Sequence, residues 1–189
     1  MSSTEYFISS DHHFNHANIL KYSAEQRQCN NLDEMHEALI ERHNSVVGKN
    51  DVSYFLGDFS FSKKPDVVLS HFARLNGKIR FIVGNHDHWV AKVDFNEIKN
   101  LEWIKQYYEV KPYNDLPHLV LFHFPIQSWH RKNYGAIHCF GHCHGNLKTP
   151  EQRRMDVGID CNNMYPFNLR ETMEKLNQNP VSEKFEKIS

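Results

Sequence analysis

The strongest constraint on the fold of this chain is a series of short apolar runs, each followed by polar side chains. Three such runs lie in the first half, at residues 6–9, 52–56 and 79–83, and segments with helical spacing separate them. The order strand, helix, strand, helix, strand predicts a parallel sheet with helical crossovers. In open α/β sheets, ligand sites lie beyond the carboxyl ends of the strands. We therefore expect the residues after these runs to meet at one edge of the sheet.

Local signals fix where the helices begin. Asn31 and Glu34 form an Asx version of the capping box, and the helix that follows is expected to end near Gly48. Pro65 at a first helical position predicts a second helix. Asn168 is expected to cap a last short helix.

The second half of the chain has a different pattern. Strand-like runs at 107–111, 119–122, 137–140 and 156–160 are joined by short loops with little helix between them. This spacing predicts a second sheet that packs on the first.

Length, charge and composition limit the class of protein. The 189 residues predict a single domain over 1–177 with a polar tail at 178–189. A formal net charge of -1 does not favour bulk attraction to nucleic acid or to an anionic membrane. The sequence contains no apolar stretch of spanning length and no secretory signal pattern, and its four cysteines show no disulfide-scaffold spacing. A cytoplasmic protein with reduced thiols is expected, and its oligomeric state is left open.

Most of the chemistry-bearing residues lie in five short segments. They are Asp11-His12-His13, Gly57-Asp58, Gly84-Asn85-His86-Asp87, His123 and Gly141-His142-Cys143-His144. Carboxylate, amide and imidazole donors in this mixture suit borderline divalent metals. Two of these aspartates, the asparagine and four of the histidines, with His86 set aside, are too many for one ion and match two adjacent metals that share a carboxylate. The glycines are expected to let the backbone turn sharply off each strand.

The order of these segments resembles the calcineurin-like metallophosphoesterases. Asp-x-His, Gly-Asp, Gly-Asn-His-Asp, His and Gly-His-x-His follow one another between Asp11 and His144, which is most of the chain. The stretch from Asp156 through Pro166 also looks like the end of short bacterial and phage phosphodiesterase-type members. The resemblance implies a four-layer α/β/β/α sandwich of two mixed sheets.

Residue roles follow from the resemblance position by position. It implies a first metal on Asp11, His13 and His144, a second on Asn85, His123 and His142, and a bridge at Asp58. His86 is then not a ligand, and it gives a proton to the leaving group. The implied cofactors are two divalent ions, with manganese expected and iron, zinc or nickel as alternatives.

The implied activity is hydrolysis of a small phosphodiester or nucleotide by in-line attack of a metal-bridging hydroxide. Phe59-Ser60-Phe61 after Gly57-Asp58, and Asp87 at the end of the later motif, disfavour protein serine/threonine phosphatases. Phe61 stands where purple acid phosphatases carry a ligand tyrosine, so that class is disfavoured too. Two alternatives stay open: a phosphomonoesterase acting on a small metabolite, and a non-catalytic metal-binding interaction module.

Several single residues keep two interpretations. His12 adjoins His13, but the Asp-x-His spacing favours His13 as the ligand. Asp87 is expected to orient His86 or a metal ligand. Cys139 and Cys143 with the nearby histidines could form a small zinc site, although a second ligand pair is missing. The candidate substrate contacts, which are equally well read as solvated side chains, are His16, Asn18, Arg131 and Arg153.

Overall fold

The regular elements follow the predicted alternation in the first half of the chain. A computed structural model of the protein describes residues 4–149 and 152–181. Its strands are β1 Tyr6–Ser9, β2 Val52–Phe55, β3 Lys78–Ile82, β4 Leu101–Lys105, β5 Tyr107–Val110, β6 Leu119–Phe122, β7 Ile137–Phe140, β8 Arg154–Asp156 and β9 Phe167–Asn168. Its α-helices are α1 Ile19–Tyr22, α2 Ala24–Arg27, α3 Leu32–Val46, α4 Pro65–Phe72 and α5 Leu169–Asn177.

The strands form two mixed sheets. The first sheet has the order β4-β3-β2-β1-β9, in which β1 to β4 run parallel and β9 is antiparallel to β1. The second sheet has the order β5-β6-β7-β8, in which β5 is antiparallel to β6 and the other pairs are parallel. β1, β2 and β3 end at the same edge, because Ser9 pairs with Phe55 and Phe55 pairs with Phe81.

Two apolar cores hold the layers together. The outer face of the first sheet packs against α3 and α4, whose Met35, Leu39, Val68 and Phe72 are buried with Phe81 of β3. The core between the sheets contains Ile8, Tyr54, Leu119, Leu121 and Ile137, together with Leu169, Met173 and Leu176 of α5. On the far side of the second sheet, Val120 packs against Trp129 and Ala136. The predicted α/β sandwich of two mixed sheets is confirmed.

Three helices begin where their capping residues predict. The Asn31 side chain accepts a hydrogen bond from the backbone N–H of Glu34 at 2.9 Å, and Pro65 begins α4. At α5, the Asn168 side chain accepts from the backbone N–H groups of Arg170 and Glu171. These caps satisfy N–H groups that a helix otherwise leaves without partners, so the sequence fixes these starts locally.

Two strand predictions differ from the structure. β4 is not predicted, because Glu102 and Lys105 break its apolar pattern; it is an edge strand, where charged residues are common. The predicted strand over 156–160 is wrong: β8 ends at Asp156 and a 3-10 turn occupies Ile159–Cys161. The Asp156 carboxylate accepts the backbone N–H of Gly158 at 2.8 Å, and this local bond ends the strand.

The structure bears on part of the predicted tail and on membrane spanning. Most of the predicted tail, residues 182–189, lies outside the described residues, and the single-domain boundary stays a prediction. Within 4–149 and 152–181, no helix combines the length and hydropathy that crossing a membrane would require.

Three buried histidines give the fold an expected dependence on pH. Burial lowers the pKa of His43, His71 and His138 from 6.5 to about 4. The unfolded chain therefore binds protons on these rings below about pH 6.5, whereas the folded chain binds them only near pH 4. Their contribution to stability is complete above pH 6.5 and is lost as the pH falls toward 4. For His43 alone this amounts to about 3 kcal/mol at most, at about 1.4 kcal/mol per pKa unit.

Urea unfolding between pH 7 and pH 4, with EDTA present to remove any metal contribution, measures this loss. His43 Nε2 lies 3.0 Å from the carbonyl oxygen of Asn76, and a glutamine can supply the same donor. His43→Gln is expected to reduce the slope of unfolding free energy against pH. His88→Gln, at an exposed position, is the matched control. Equal slopes in wild type and His43→Gln would contradict the prediction.

Candidate metal centre

Strand ends and the turns after them bring six side chains into two groups. Asp11, His13 and His144 form the first group, and one donor atom from each lies within 4.8 Å of the others. Asp58, His123 and His142 form the second group by the same measure. Within the part of the chain that the structure describes, neither group includes a cysteine. A zinc site built on Cys139 and Cys143 is therefore not favoured.

Asn85 joins the second group. Its Oδ1 lies 3.0 Å from His123 Nε2 and 3.0 Å from His142 Nδ1. Three donors from different parts of the chain thus point toward a common centre. An amide oxygen with two imidazole nitrogens is a mixture that borderline divalent metals accept.

Asp58 lies between the two groups. Its Oδ2 is 3.5 Å from His123 Nε2 in the second group and 3.8 Å from His13 Nε2 in the first. His13 Nε2 is in turn 3.1 Å from His144 Nε2. One carboxylate therefore faces donors of both groups.

The backbone at these residues is unusual. Five of the seven predicted ligands have positive φ angles, although none is glycine: Asp11 at 60°, His13 at 53°, Asp58 at 53°, His142 at 70° and His144 at 48°. The left-handed region is uncommon for residues with a Cβ and is costly. Strained backbone of this kind concentrates at functional sites, where the surrounding structure enforces it.

Gly57 and Gly84 permit close contact between two of the site turns. Gly57 has a φ of +90°, and a Cβ there would lie 2.5 Å from the backbone nitrogen of Gly84. A Cβ on Gly84 would lie 2.3 Å from Asp58 Oδ1. At Gly57 the glycine supplies the predicted turn, whereas at Gly84 its main role is to make room for the Asp58 carboxylate.

Hydrogen bonds orient two of the imidazoles. His123 Nδ1 lies 2.7 Å from the carbonyl oxygen of Leu56, so the Nδ1–H donates there and Nε2 is free to face the site. His144 Nδ1 lies 2.6 Å from Asp160 Oδ2. Ligand histidines in metalloproteins are usually held in this way by a carbonyl or carboxylate. Burial lowers the pKa of His144, but the carboxylates of Asp160 and Asp11 together more than offset this and hold that pKa above its usual value.

Asp160 is itself fixed by a buried network that sequence reasoning missed. Arg27 Nε donates to its Oδ1 at 2.8 Å, and Ser23 Oγ donates to its Oδ2 at 2.9 Å. The Arg27 guanidinium also donates to the backbone carbonyls of Asp11 and His12. A single arginine therefore holds both the loop that carries Asp11 and the carboxylate that orients His144. No local motif marks Arg27, since Asp160 is 133 residues away in sequence.

Removing this carboxylate is expected to weaken metal binding. Asp160→Asn keeps the shape of the side chain but replaces a charged acceptor of the His144 Nδ1–H. Loss of such a partner typically lowers metal affinity about 10–100-fold. Titration of the metal-free protein with Mn²⁺ measures the change. Asp115→Asn, at an exposed aspartate that pairs with Arg170, is the control, and equal affinities in both variants would contradict the prediction.

Asp87 organises backbone rather than a histidine ring. Its carboxylate accepts the backbone N–H groups of Asp58, Phe59 and Gly84 at 2.8 Å, and the indole N–H of Trp89 at 2.9 Å. Burial raises the pKa of Asp87 to about 7. Of the two expected roles, these contacts favour the orientation of a predicted metal ligand, Asp58.

The charge of the site fits a pair of cations. Asp11 and Asp58 are both buried. Burial raises the pKa of Asp11 well above its usual range, and the nearby Asp58 carboxylate adds to this effect. Bound divalent cations would offset the repulsion between the two carboxylates. The donor set and its burial therefore both suit metal ions.

Comparisons with known proteins place the chain in a family. No protein-family model matches it. The uncharacterized protein MJ1445 of Methanocaldococcus jannaschii is 34% identical to it over 176 residues, covering 89% of each sequence. The chain belongs to the family of this archaeal protein. The gene 66 protein of Mycobacterium phage L5 is 26% identical over 187 residues, covering 85% of this chain and 87% of the phage protein.

A solved structure shares the fold. The protein of unknown function AQ665 from Aquifex aeolicus aligns with a TM-score of 0.70 at 19% identity, covering 89% of this chain and 97% of that one. At this identity the likeness shows the fold alone.

The remaining candidate residues lie in different environments. His12 is buried and stacks on Phe55 with ring centroids 4.7 Å apart, which is a packing position. His16 lines a cavity beside His86, whereas Asn18 is exposed at the start of α1 and does not line it. The structure does not bring the two arginines to this cavity either: Arg131 is exposed, and Arg153 donates to Asn177 and Asn179 at the end of α5. A substrate role for His16 stays a prediction.

Proposed function

We propose that this protein is a metal-dependent phosphoesterase that hydrolyses a small phosphodiester. The observation that carries the proposal is the position of Asp58, whose Oδ2 lies within 3.8 Å of imidazole nitrogens in both donor groups. Two metals held about 3.5–4 Å apart by a shared carboxylate are the usual machinery for in-line displacement at phosphorus. We infer that Asp11, His13 and His144 hold one ion, that Asn85, His123 and His142 hold the other, and that Asp58 contacts both.

When bound, two divalent ions neutralise phosphoryl oxygens and lower the pKa of coordinated water. The side chains have separate tasks around them. Asp58 supplies a full negative charge between the two positions, and Asn85 supplies a neutral oxygen. Using an amide rather than a third carboxylate keeps the occupied site positive toward an anionic substrate. Manganese remains the expected metal, with iron, zinc or nickel as alternatives.

We infer that His86 gives a proton to the departing alcohol. Its backbone N–H donates to Asp58 Oδ1 at 2.8 Å, which fixes the turn, and its Nε2 lies 4.0 Å from Asp58 Oδ2. The side chain is 40% exposed, so it borders the site without being enclosed by it. An alkoxide leaving group needs a proton, and a positioned acid typically contributes about 10²–10⁴ in rate.

Turnover of two aryl esters tests the proposal. With Mn²⁺ added, the protein is expected to hydrolyse bis-p-nitrophenyl phosphate faster than p-nitrophenyl phosphate, and EDTA is expected to abolish both reactions. Faster turnover of the monoester would instead favour a phosphomonoesterase. Stoichiometric metal with hydrolysis of neither ester would favour a non-catalytic metal-binding module.

A further inference from the structure

A cavity of about 420 Å³ lies beside the predicted metal ligands His13 and His144. Its volume is in the range of small-molecule sites, roughly 300–1,000 Å³. His86 also lines it, which places the cavity on the side of the predicted acid. In an in-line displacement, the group that receives the proton of the acid is the leaving group. A substrate group in this cavity would lie next to the predicted acid, as a leaving group must.

The cavity is lined by imidazoles, aromatic rings and neutral polar groups. Among the described residues that form it, none is lysine, arginine, aspartate or glutamate. Gln26 and Asn146 supply amide groups at its exposed rim, and Ile19 supplies an apolar surface. A second phosphate or sulfate would find no lysine or arginine among these residues, and the proton of His86 is the one that the leaving group takes. The lining instead suits a neutral group that has hydrogen-bonding edges.

Aromatic rings form one wall. Phe61 stacks on His16 with ring centroids 3.7 Å apart and an interplanar angle of 11°, and on His86 with centroids 4.3 Å apart. Tyr22 extends this wall, since its ring meets His16 edge-on at 6.3 Å. The Tyr22 side chain is 75% exposed although it lines the cavity. An exposed aromatic face in this position is available to a flat ligand.

We propose that this cavity binds a leaving group with a neutral, flat heteroaromatic ring, such as a nucleoside, and that Tyr22 stacks on that ring. The inference rests on the proposed phosphodiesterase function. In the reaction, the oxygen of water bonds to phosphorus and that water releases one proton to the solvent. The P–O bond to the nucleoside breaks, and the nucleoside oxygen takes the proton from His86, which the solvent then restores.

Two methyl esters that differ only in the base test this specificity. Methyl adenosine 5'-phosphate and methyl ribose 5-phosphate have similar leaving alcohols, so their intrinsic reactivity is similar. With Mn²⁺ bound, kcat/KM is expected to be about tenfold higher for the adenosine ester, which is the usual order of one base–aromatic stacking contact. Tyr22→Ala is expected to remove this advantage and Tyr22→Phe to retain it. Tyr134→Ala is the matched control, because Tyr134 is 76% exposed and does not line the cavity.

Binding without turnover provides an independent readout. Adenosine and ribose are titrated into the EDTA-treated protein and followed by saturation-transfer NMR. Adenosine is expected to bind about tenfold tighter than ribose in wild type and Tyr134→Ala, and to lose this advantage in Tyr22→Ala. Equal affinity of the wild-type protein for adenosine and ribose overturns the inference about the cavity. So does an equal loss of adenosine affinity in Tyr22→Ala and Tyr134→Ala. Hydrolysis of neither methyl ester nor bis-p-nitrophenyl phosphate overturns the proposed function, and the binding result then decides the cavity separately.

Discussion

Asp58→Asn is expected to abolish hydrolysis and binding of at least one of the two metals proposed for the site. The substitution keeps the shape of the side chain but removes the charge that lies between the two donor groups, 3.5 Å from His123 Nε2 and 3.8 Å from His13 Nε2. Metal stabilisation of the transition state amounts to several kcal/mol, which corresponds to a loss of roughly 10³-fold or more in rate. Elemental analysis after dialysis and the diester assay measure the two effects.

The control for this variant is Asp66→Asn, an exposed aspartate in the first turn of α4. Circular dichroism should show that both variants fold, since Asp58 is not part of either apolar core. Asp58→Asn protein that keeps two tightly bound ions per chain, or that hydrolyses the diester at the wild-type rate, would exclude a bridging role for this residue.

His86→Ala is expected to separate catalysis from metal binding. The backbone N–H that His86 donates to Asp58 survives the substitution, so the turn and both donor groups should keep their geometry. Metal content should therefore be unchanged, while turnover of a diester with an alkoxide leaving group falls about 10²–10⁴-fold. The loss should be smallest for bis-p-nitrophenyl phosphate, because p-nitrophenolate departs without a proton.

His88→Ala is the matched control, since His88 is an exposed histidine two residues further along the same segment. It should hydrolyse both kinds of diester at the wild-type rate. Two results would contradict a proton-donating role for His86. One is hydrolysis of the alkyl diester by His86→Ala at the wild-type rate, and the other is an equal fall in the rates for the alkyl and p-nitrophenyl diesters.

The two experiments distinguish parts of the site that lie close together. Asp58 and His86 are in contact, with His86 Nε2 4.0 Å from Asp58 Oδ2, yet one is buried and the other is partly exposed. The buried carboxylate can hold cations, and the partly exposed imidazole can reach a substrate. This arrangement predicts that Asp58→Asn loses metal and that His86→Ala does not.

Much of the site could be predicted because its signals are local in sequence. Asp11, Asp58 and Asn85 follow parallel strands that the apolar runs identify, and parallel strands bring their carboxyl ends to one edge. His123 and His142 similarly follow β6 and β7. The apolar runs therefore predicted the two sheets, and the polar residues directly after them predicted the donors that meet at the strand ends.

Other features depend on contacts that no local pattern records. Arg27 and Asp160 are 133 residues apart and look like ordinary charged residues in sequence, but in the fold they are buried together beneath His144. The strand predicted over 156–160 ends early because the Asp156 side chain captures a backbone N–H, and the 3-10 turn that follows contains Asp160.

The sequence by itself determined which donors this protein can offer and which strand ends carry them, because hydrophobic periodicity and turn chemistry act over a few residues. Only the tertiary structure decided how those donors are oriented, which carboxylate lies between the two groups, and that Tyr22 borders a cavity beside them. Orientation and cavity shape depend on the packing of side chains from distant segments, and that packing exists only in the folded chain.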